Sequence, residues 1–197
     1  MYSYRIEQAI RAAAVLHRTQ VRKGEMPYPY ITHVVAVAFL LFDYTTDEDV
    51  IIAALLHDTI EDTDYTVDEL EEDFGANVRN LVETVTEPTT DKETALQWAA
   101  RKKQYISQLE KGPTEALLIA AADKIHNMRS VVETYYEEPS QFLKDFGGTC
   151  GQRLEMYQVL ANLFNRRLKN DIIHEFNHVF AEYKEFVYRV QTNENIS

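Results

Sequence analysis

Residues Ala53–Thr63 read AALLHDTIEDT, and the fold turns on how this stretch is taken. An apolar run leads directly into His57 and Asp58, and Glu61 and Asp62 follow within one helical turn. The residues before it, VIIAALL, read as a buried helix. A histidine and three carboxylates at the end of such a helix pose a problem. Like charges this close repel, and burying them is costly. A cation among them would resolve it. On a continuous helix, His57/Glu61, Asp58/Glu61 and Asp58/Asp62 all project to one broad side. His57 and Asp58 differ by about 100° around the axis, so both could reach an ion lying over the groove between them.

Working outward, the chain reads as helix after helix. Gly and Pro cluster at Gly24–Pro29, Gly75, Pro88, Gly112-Pro113, Pro139 and Gly147–Gly151. No alternating run bounded by turn signals suggests a sheet. The spacing of Ile6, Ile10, Ala13, Ala14 and His17 predicts a first helix over Arg5–Thr19. A second helix is expected from Thr32 to Phe42, and a third, after Thr46, is expected to carry IIAALLHDTIED. Thr66 with Glu69 is a capping-box pattern for a short helix ending before Gly75, and Ala76–Thr86 is another. The polar segment EPTTDKET reads as a loop. A helix with a basic stripe, ALQWAARKKQYISQL, comes next. Pro113 opens a long helix, TEALLIAAADKIHNMRSVVETYY. Two amphipathic helices, Gln152–Leu168 and Asp171–Val190, close the chain. The expectation is an all-α bundle of roughly eight to ten helices.

Composition narrows the function. With 197 residues the chain can bury a sizeable core. A net charge of −12 disfavours nucleic acid and anionic membranes as partners. It leaves room for a small anionic substrate, because a metal or a local basic cluster can reverse the field inside one cleft. The single cysteine, Cys150, excludes an intrachain disulfide and fits a reducing compartment. The N-terminal stretch lacks the unbroken apolar core of a signal peptide, and no apolar run approaches a membrane span. A soluble cytoplasmic protein is expected.

If His57 and Asp58 hold a metal, further ligands must come from elsewhere. His33 opens the second helix. Asp123 follows three alanines in LLIAAADKIHN, a carboxylate on an otherwise apolar face that needs a partner. Two histidines and two aspartates form a mixed N/O donor set. That set suits Mn²⁺ or Fe²⁺, with Mg²⁺ as a further option, better than a closed thiolate zinc site. A six-coordinate ion would keep positions for water, whose pKa it lowers. Glu61 and Asp62 could orient that water or take its proton. The plainer reading stays open: His-Asp is a common dipeptide, and Glu61 and Asp62 could form a solvated helix end. Asp123 on its apolar face favours the metal. His17, His174 and His178 fit structural roles. His126, three residues from Asp123, is open.

The runs RKGEMPYPYITHVVAVAFLL (22–41), DEDVIIAALLHDTIEDTDYTVDELEEDFGANVRNLVETVTE (47–87) and LLIAAADKIHNMRSV (117–131) resemble the hydrolase domain of the RelA/SpoT group. They are similar to the small alarmone hydrolases of the HD-domain phosphohydrolase superfamily. The resemblance rests on an ordered set: a basic pair, a histidine, His-Asp followed by Glu-Asp, Phe-Gly, Val-Thr, and Asp-Lys-x-x-Asn with a following arginine. It implies a single HD domain over 1–197, with a hydrolase core at 5–135 and C-terminal helices at 139–190. It implies a Mn²⁺-dependent enzyme that removes the 3′-pyrophosphate of guanosine 3′,5′-bispyrophosphate (ppGpp or pppGpp) to leave GDP or GTP. Carried over by position, His33, His57, Asp58 and Asp123 are the metal ligands, and Glu61 and Asp62 handle the attacking water. Arg22 and Lys23 match the basic pair at the nucleotide mouth, and Asn127 contacts the nucleotide.

Further substrate contacts are read from the residues. Arg101, Lys102 and Lys103 form a second basic cluster. Trp98 and Tyr105 are expected to pack inward while Arg101 or Lys102 faces phosphate; a solvated basic face is the plainer alternative. Arg129 is a lesser candidate, and Tyr28 and Tyr30 could stack on a base or pack the loop. The loop before His33 is longer than the family's usual pattern through the repeat PYPY. The final third is expected to complete the bundle and to cover the site or form a homodimer surface, with Arg153 and Tyr157 as candidate contacts. The competing functions are a phosphohydrolase acting on another nucleotide, NADPH 2′-phosphate included, and a nucleotide-sensing module without catalysis.

Overall fold

The computed structural model describes residues 3–23, 27–88, 95–137, 141–142, 145 and 149–194. Among these residues the regular elements are all helical: α1 (Tyr4–Leu16), α2 (Ile31–Leu41), α3 (Glu48–Leu56), α4 (Thr59–Asp62), α5 (Val67–Phe74), α6 (Ala76–Val85), α7 (Ala95–Lys111), α8 (Thr114–Thr134), α9 (Cys150–Arg167) and α10 (Ile172–Glu194). The fold is all-α, with one isolated bridge between Val21 and Pro29. The turn signals Gly24, Pro139, Gly147 and Gly148, and most of the polar segment after Glu87, lie outside the described residues.

Helix α3 is the centre. Every residue from Val50 to Leu56 is buried, and α1, α2, α6 and α8 surround it. Local propensity does not explain this helix. It is short, and Val50, Ile51 and Ile52 are β-branched. Burial does explain it, because each large aliphatic side chain taken out of water contributes roughly 1.5–3 kcal/mol. Asp47 caps its start by accepting from the Asp49 amide, and Glu48 and Asp49 suit the dipole. Helix α8 is the second long buried element, with Ala116 through Asp123 buried. Ala120, Ala121 and Ala122 keep its surface low, so α2 and α3 can lie close against it. Helix α10 packs along the other side of α8.

One expected helix is divided. Instead of running through His57–Asp62, the chain leaves α3 at Leu56 and restarts as α4. Side chains explain the break. Thr59 Oγ1 donates to the Leu56 carbonyl at 2.7 Å, and His57 Nδ1 donates to the Ala54 carbonyl at 2.7 Å. They take up carbonyls that a continuing helix would use. Asp58 therefore turns toward α2 and α8 instead of sharing a helix face with Glu61. The first helix also ends earlier than its periodicity predicts, at Leu16, where His17 and Gln20 bond to each other.

The capping box of Thr66 and Glu69 is present. Gly75 then joins α5 to α6 at φ 89°, ψ 164°, a conformation open essentially only to glycine. A Cβ there would meet nothing within 4 Å, so the demand comes from the backbone alone. Gly75→Ala is expected to lower the unfolding free energy by about 1–3 kcal/mol, read from a shift in the urea midpoint with unchanged slope.

Candidate active site

Three elements deliver the central residues. Helix α2 supplies buried His33, the α3–α4 break supplies His57 and Asp58, and α8 supplies Asp123. Their polar atoms converge. His57 Nε2 lies 3.1 Å from Asp58 Oδ2 and 3.7 Å from Asp123 Oδ1. His33 Nε2 lies 3.5 Å from Asp58 Oδ2 and 3.2 Å from Asp123 Oδ1. Ligand atoms of His33, His57 and Asp58 fall within 4.8 Å of one another. Asp123 reaches both histidines from the far side of the cluster.

The residues fit a divalent cation. The His57 ring is oriented by its Nδ1–H bond to Ala54, which leaves Nε2 as the nitrogen that faces the carboxylates. That Nε2 is buried and has no hydrogen-bond partner among the described residues. Burial alone would raise Asp58, but His57 and His33 outweigh it and hold the carboxyl well below its usual range. Asp123 is likewise raised by burial and lowered further by Lys124 and the histidines. Burial would lower His57, yet Asp58 and Asp123 hold it well above its ordinary value. The two carboxylates demand positive charge at this spot, from imidazolium protons or from a metal.

The surrounding contacts form shells. Tyr30 Oη donates to Asp58 Oδ2 at 2.6 Å. Asn127 Nδ2 and Lys124 Nζ both donate to Asp123, the lysine at 2.8 Å. His33 Nδ1 and His126 Nδ1 are 2.9 Å apart. Gln20 joins His17 to the Asp62 carbonyl.

A cavity of about 420 Å³ opens beside the cluster. His57, Asp58 and Asp123 line it together with Glu61, Asp62, Arg22, Lys23, Asn127 and Lys102. Arg22 Nη2 donates to Asn127 Oδ1 at 2.9 Å, and the guanidinium carbon lies 5.6 Å from the centre of the Tyr30 ring. Backbone bonds between Arg22 and Tyr28 and between Tyr30 and Gln20 pin the base of the loop. Lys23 Nζ reaches the Asp145 carbonyl at 2.6 Å. Arg153 and Tyr157 of α9 line the same cavity. Arg129, the lesser candidate, does not: it pairs with Glu175 at 2.6 Å on α10.

Glu61 accepts from the Glu87 amide at 3.1 Å. Burial, with Glu87 and Asp58 nearby, pushes its carboxyl up to about 7. Burial and Asp58 push Asp62 up to about 6. Two residues escaped sequence reading. Glu87 is buried and gathers the basic cluster: Lys102 donates to both its oxygens at 2.5 and 2.6 Å, and Arg101 Nη1 lies 3.1 Å away. Lys124, 2.8 Å from Asp123 and 3.9 Å from Glu87, joins the two groups. Glu87 carried no signal, because it opens a polar stretch that looks solvated. Lys124 carried one, a lysine within a buried, alanine-rich helix.

A family model described as an HD domain matches residues 9–148. The mouse protein named guanosine-3′,5′-bis(diphosphate) 3′-pyrophosphohydrolase MESH1 is 39% identical over 174 residues, 81% of this chain and 93% of that protein. The chain belongs to the HD-domain family, in the group that holds MESH1. The human MESH1 protein is 38% identical with the same coverage, 81% of this chain and 93% of its own. A solved structure described as a metazoan ortholog of SpoT that hydrolyzes ppGpp superposes on this HD domain with a TM-score of 0.75. That match has 27% identity and covers 92% of this chain and 97% of the other. No helix among the described residues is long and apolar enough to cross a membrane.

A divalent cation that binds the folded state alone stabilises it by mass action, by about 2.7 kcal/mol at a hundredfold excess over Kd. The melting temperature is expected to rise on adding the ion and to fall back with a chelator. His57→Ala is expected to lose that response in differential scanning calorimetry.

Proposed function

We propose that this HD domain is a metal-dependent 3′-pyrophosphohydrolase acting on guanosine 3′,5′-bispyrophosphate, releasing pyrophosphate and leaving GDP, or GTP from the pentaphosphate. The observation that carries the reading is the convergence of His33 Nε2, His57 Nε2, Asp58 Oδ2 and Asp123 Oδ1 beside a cavity whose lining also includes Lys102, Lys124 and Arg22. The named activity of the MESH1 relatives supports the choice of substrate. The mixed imidazole and carboxylate donors favour Mn²⁺, with Fe²⁺ and Mg²⁺ as alternatives.

When bound, such an ion supplies Lewis acidity toward the phosphoryl group and acidifies a water. The chain's own residues do the rest. Glu61, with its carboxyl at about 7, is matched to accept a proton near neutral pH. Asp62 beside it orients the attacking water. As the water oxygen bonds to the phosphorus next to the 3′-oxygen, the bond from that phosphorus to the 3′-oxygen breaks and pyrophosphate departs. The 3′-oxygen takes up the proton that Glu61 accepted from the water and remains on the nucleotide as a hydroxyl. Lys102 and Lys124, gathered around Glu87, hold the pyrophosphate oxygens, and Arg101 backs them through the same carboxylate. Arg22, Lys23 and Asn127 hold the nucleotide at the mouth. These cations in the lining offset part of the repulsion a polyanion would meet from a chain of net charge −12.

The deciding experiment incubates Mn²⁺-loaded protein with guanosine 3′,5′-bispyrophosphate and measures pyrophosphate and GDP, with His57→Ala as control. Release by the wild type alone is expected. Confirmed metal with no release would sink the reading and redirect it to another phosphate ester.

Glu61→Gln is expected to keep the metal and to lower kcat by about 10²–10⁴-fold. The pH profile checks the same role. Glu61 faces Glu87, Asp58, Asp62 and Arg101, and below about 7 it already carries a proton. The rate should therefore fall as pH drops through that value, and Glu61→Gln should lack that limb.

A further inference from the structure

The two histidines of the cluster are oriented in different ways. His57 donates its Nδ1–H to the Ala54 carbonyl, an acceptor that cannot change role. His33 turns its Nδ1 to His126 Nδ1 at 2.9 Å, so its partner is a second imidazole. Two ring nitrogens at that distance cannot both carry a proton and cannot both present a lone pair. One donates and the other accepts. His33 Nε2 meanwhile points at Asp58 Oδ2 and Asp123 Oδ1, 3.5 and 3.2 Å away. For that nitrogen to give its lone pair to a cation, the ring proton must sit on Nδ1. His126 must then accept at Nδ1 and keep its own proton on Nε2.

We propose that His126 is a positioning residue for the metal centre: as acceptor of the His33 Nδ1–H bond, it selects the tautomer in which His33 Nε2 is a ligand. The inference rests on the reading of His33 as a metal ligand. Its geometry is built by one helix. His126 lies one turn after Asp123 on α8, and α8 packs against α2, which carries His33. The rings stack obliquely, with centroids 4.7 Å apart. Ser130, one turn further along α8, stands 3.3 Å from the same His126 nitrogen and lines the cavity. The backbone therefore orients one histidine ligand, and α8 orients the other through a side chain, while the same helix delivers Asp123.

The test measures metal binding, not turnover. Free Mn²⁺ is titrated by electron paramagnetic resonance against wild type, His126→Phe, His126→Asn and His33→Ala. Replacing an orienting partner of a metal-bound histidine weakens binding by roughly 10–100-fold. That loss is expected for His126→Phe, which keeps an aromatic ring without an acceptor. His126→Asn, whose amide oxygen can accept from His33, is expected to recover most of it. Wild-type affinity in His126→Phe, alongside weakened binding in His33→Ala, would overturn this inference and leave the metal site standing. Equal affinity in His33→Ala would overturn both. Binding by His126→Asn as weak as by His126→Phe would assign the effect to packing and overturn the hydrogen-bond role. Nitrogen-15 spectra of wild type loaded with diamagnetic Mg²⁺ give a reading that needs no variant. His33 should be protonated at Nδ1, and protonation at Nε2 would refute the proposal.

Discussion

One buried and one half-buried carboxylate, facing two buried imidazoles, constrain everything else in this molecule. Asp58 approaches from the α3–α4 break and Asp123 from α8, and they place their oxygens within 3.1–3.7 Å of histidine nitrogens. Removed from water, such carboxylates are tolerable only beside positive charge and donors. Tyr30, Asn127 and Lys124 each donate to one of them. The centre is polar, but the helices that carry it are among the most apolar in the chain. Helix α3 is buried along its length after the first turn, and α8 is buried through Ala116–Asp123. Apolar burial holds the polar cluster in register, and a register error in either helix would leave a charge without its partner.

A second electrostatic layer surrounds the first. Glu87 gathers Arg101, Lys102 and Lys124, and Lys124 in turn reaches Asp123. Burial would raise the Glu87 carboxyl, but Lys124 first, then Lys102 and Arg101, hold it down as an anion. The same anion stands beside Glu61 and helps to raise it. One buried carboxylate thus organises the cations of the cavity wall and tunes the neighbouring carboxyl. An acidic protein can in this way place cations in the wall of one recess while its outer surface keeps its negative charge.

The sequence by itself determined the class of fold and singled out the residues that meet in the central cluster. Helical spacing, scarce glycine and proline, and capping boxes are local signals, and they act through residues a few positions apart. His57-Asp58 and the solitary Asp123 were conspicuous because a charge in an apolar run has few inexpensive explanations. The limits were equally physical. Periodicity carried one helix through His57–Asp62. The side-chain bonds of Thr59 and His57 to carbonyls one turn back divide it, and periodicity does not register such bonds. Arg129 read as a neighbour of Asn127, yet an ion pair with Glu175, distant in the chain, draws it to α10.

Only the tertiary structure decided the partners. Glu87 looked like the start of a solvated loop until α7 and α8 brought three cations to it. His126 was an unassigned histidine until α2 packed on α8 and set its Nδ1 against that of His33. Tyr30, read from the sequence as a stacking or loop residue, turned out to donate to Asp58. The reason is common to all three. A residue's type and its near neighbours establish what it can donate, accept or bury. Which distant group it meets depends on how whole helices pack, and that is a property of the assembled core.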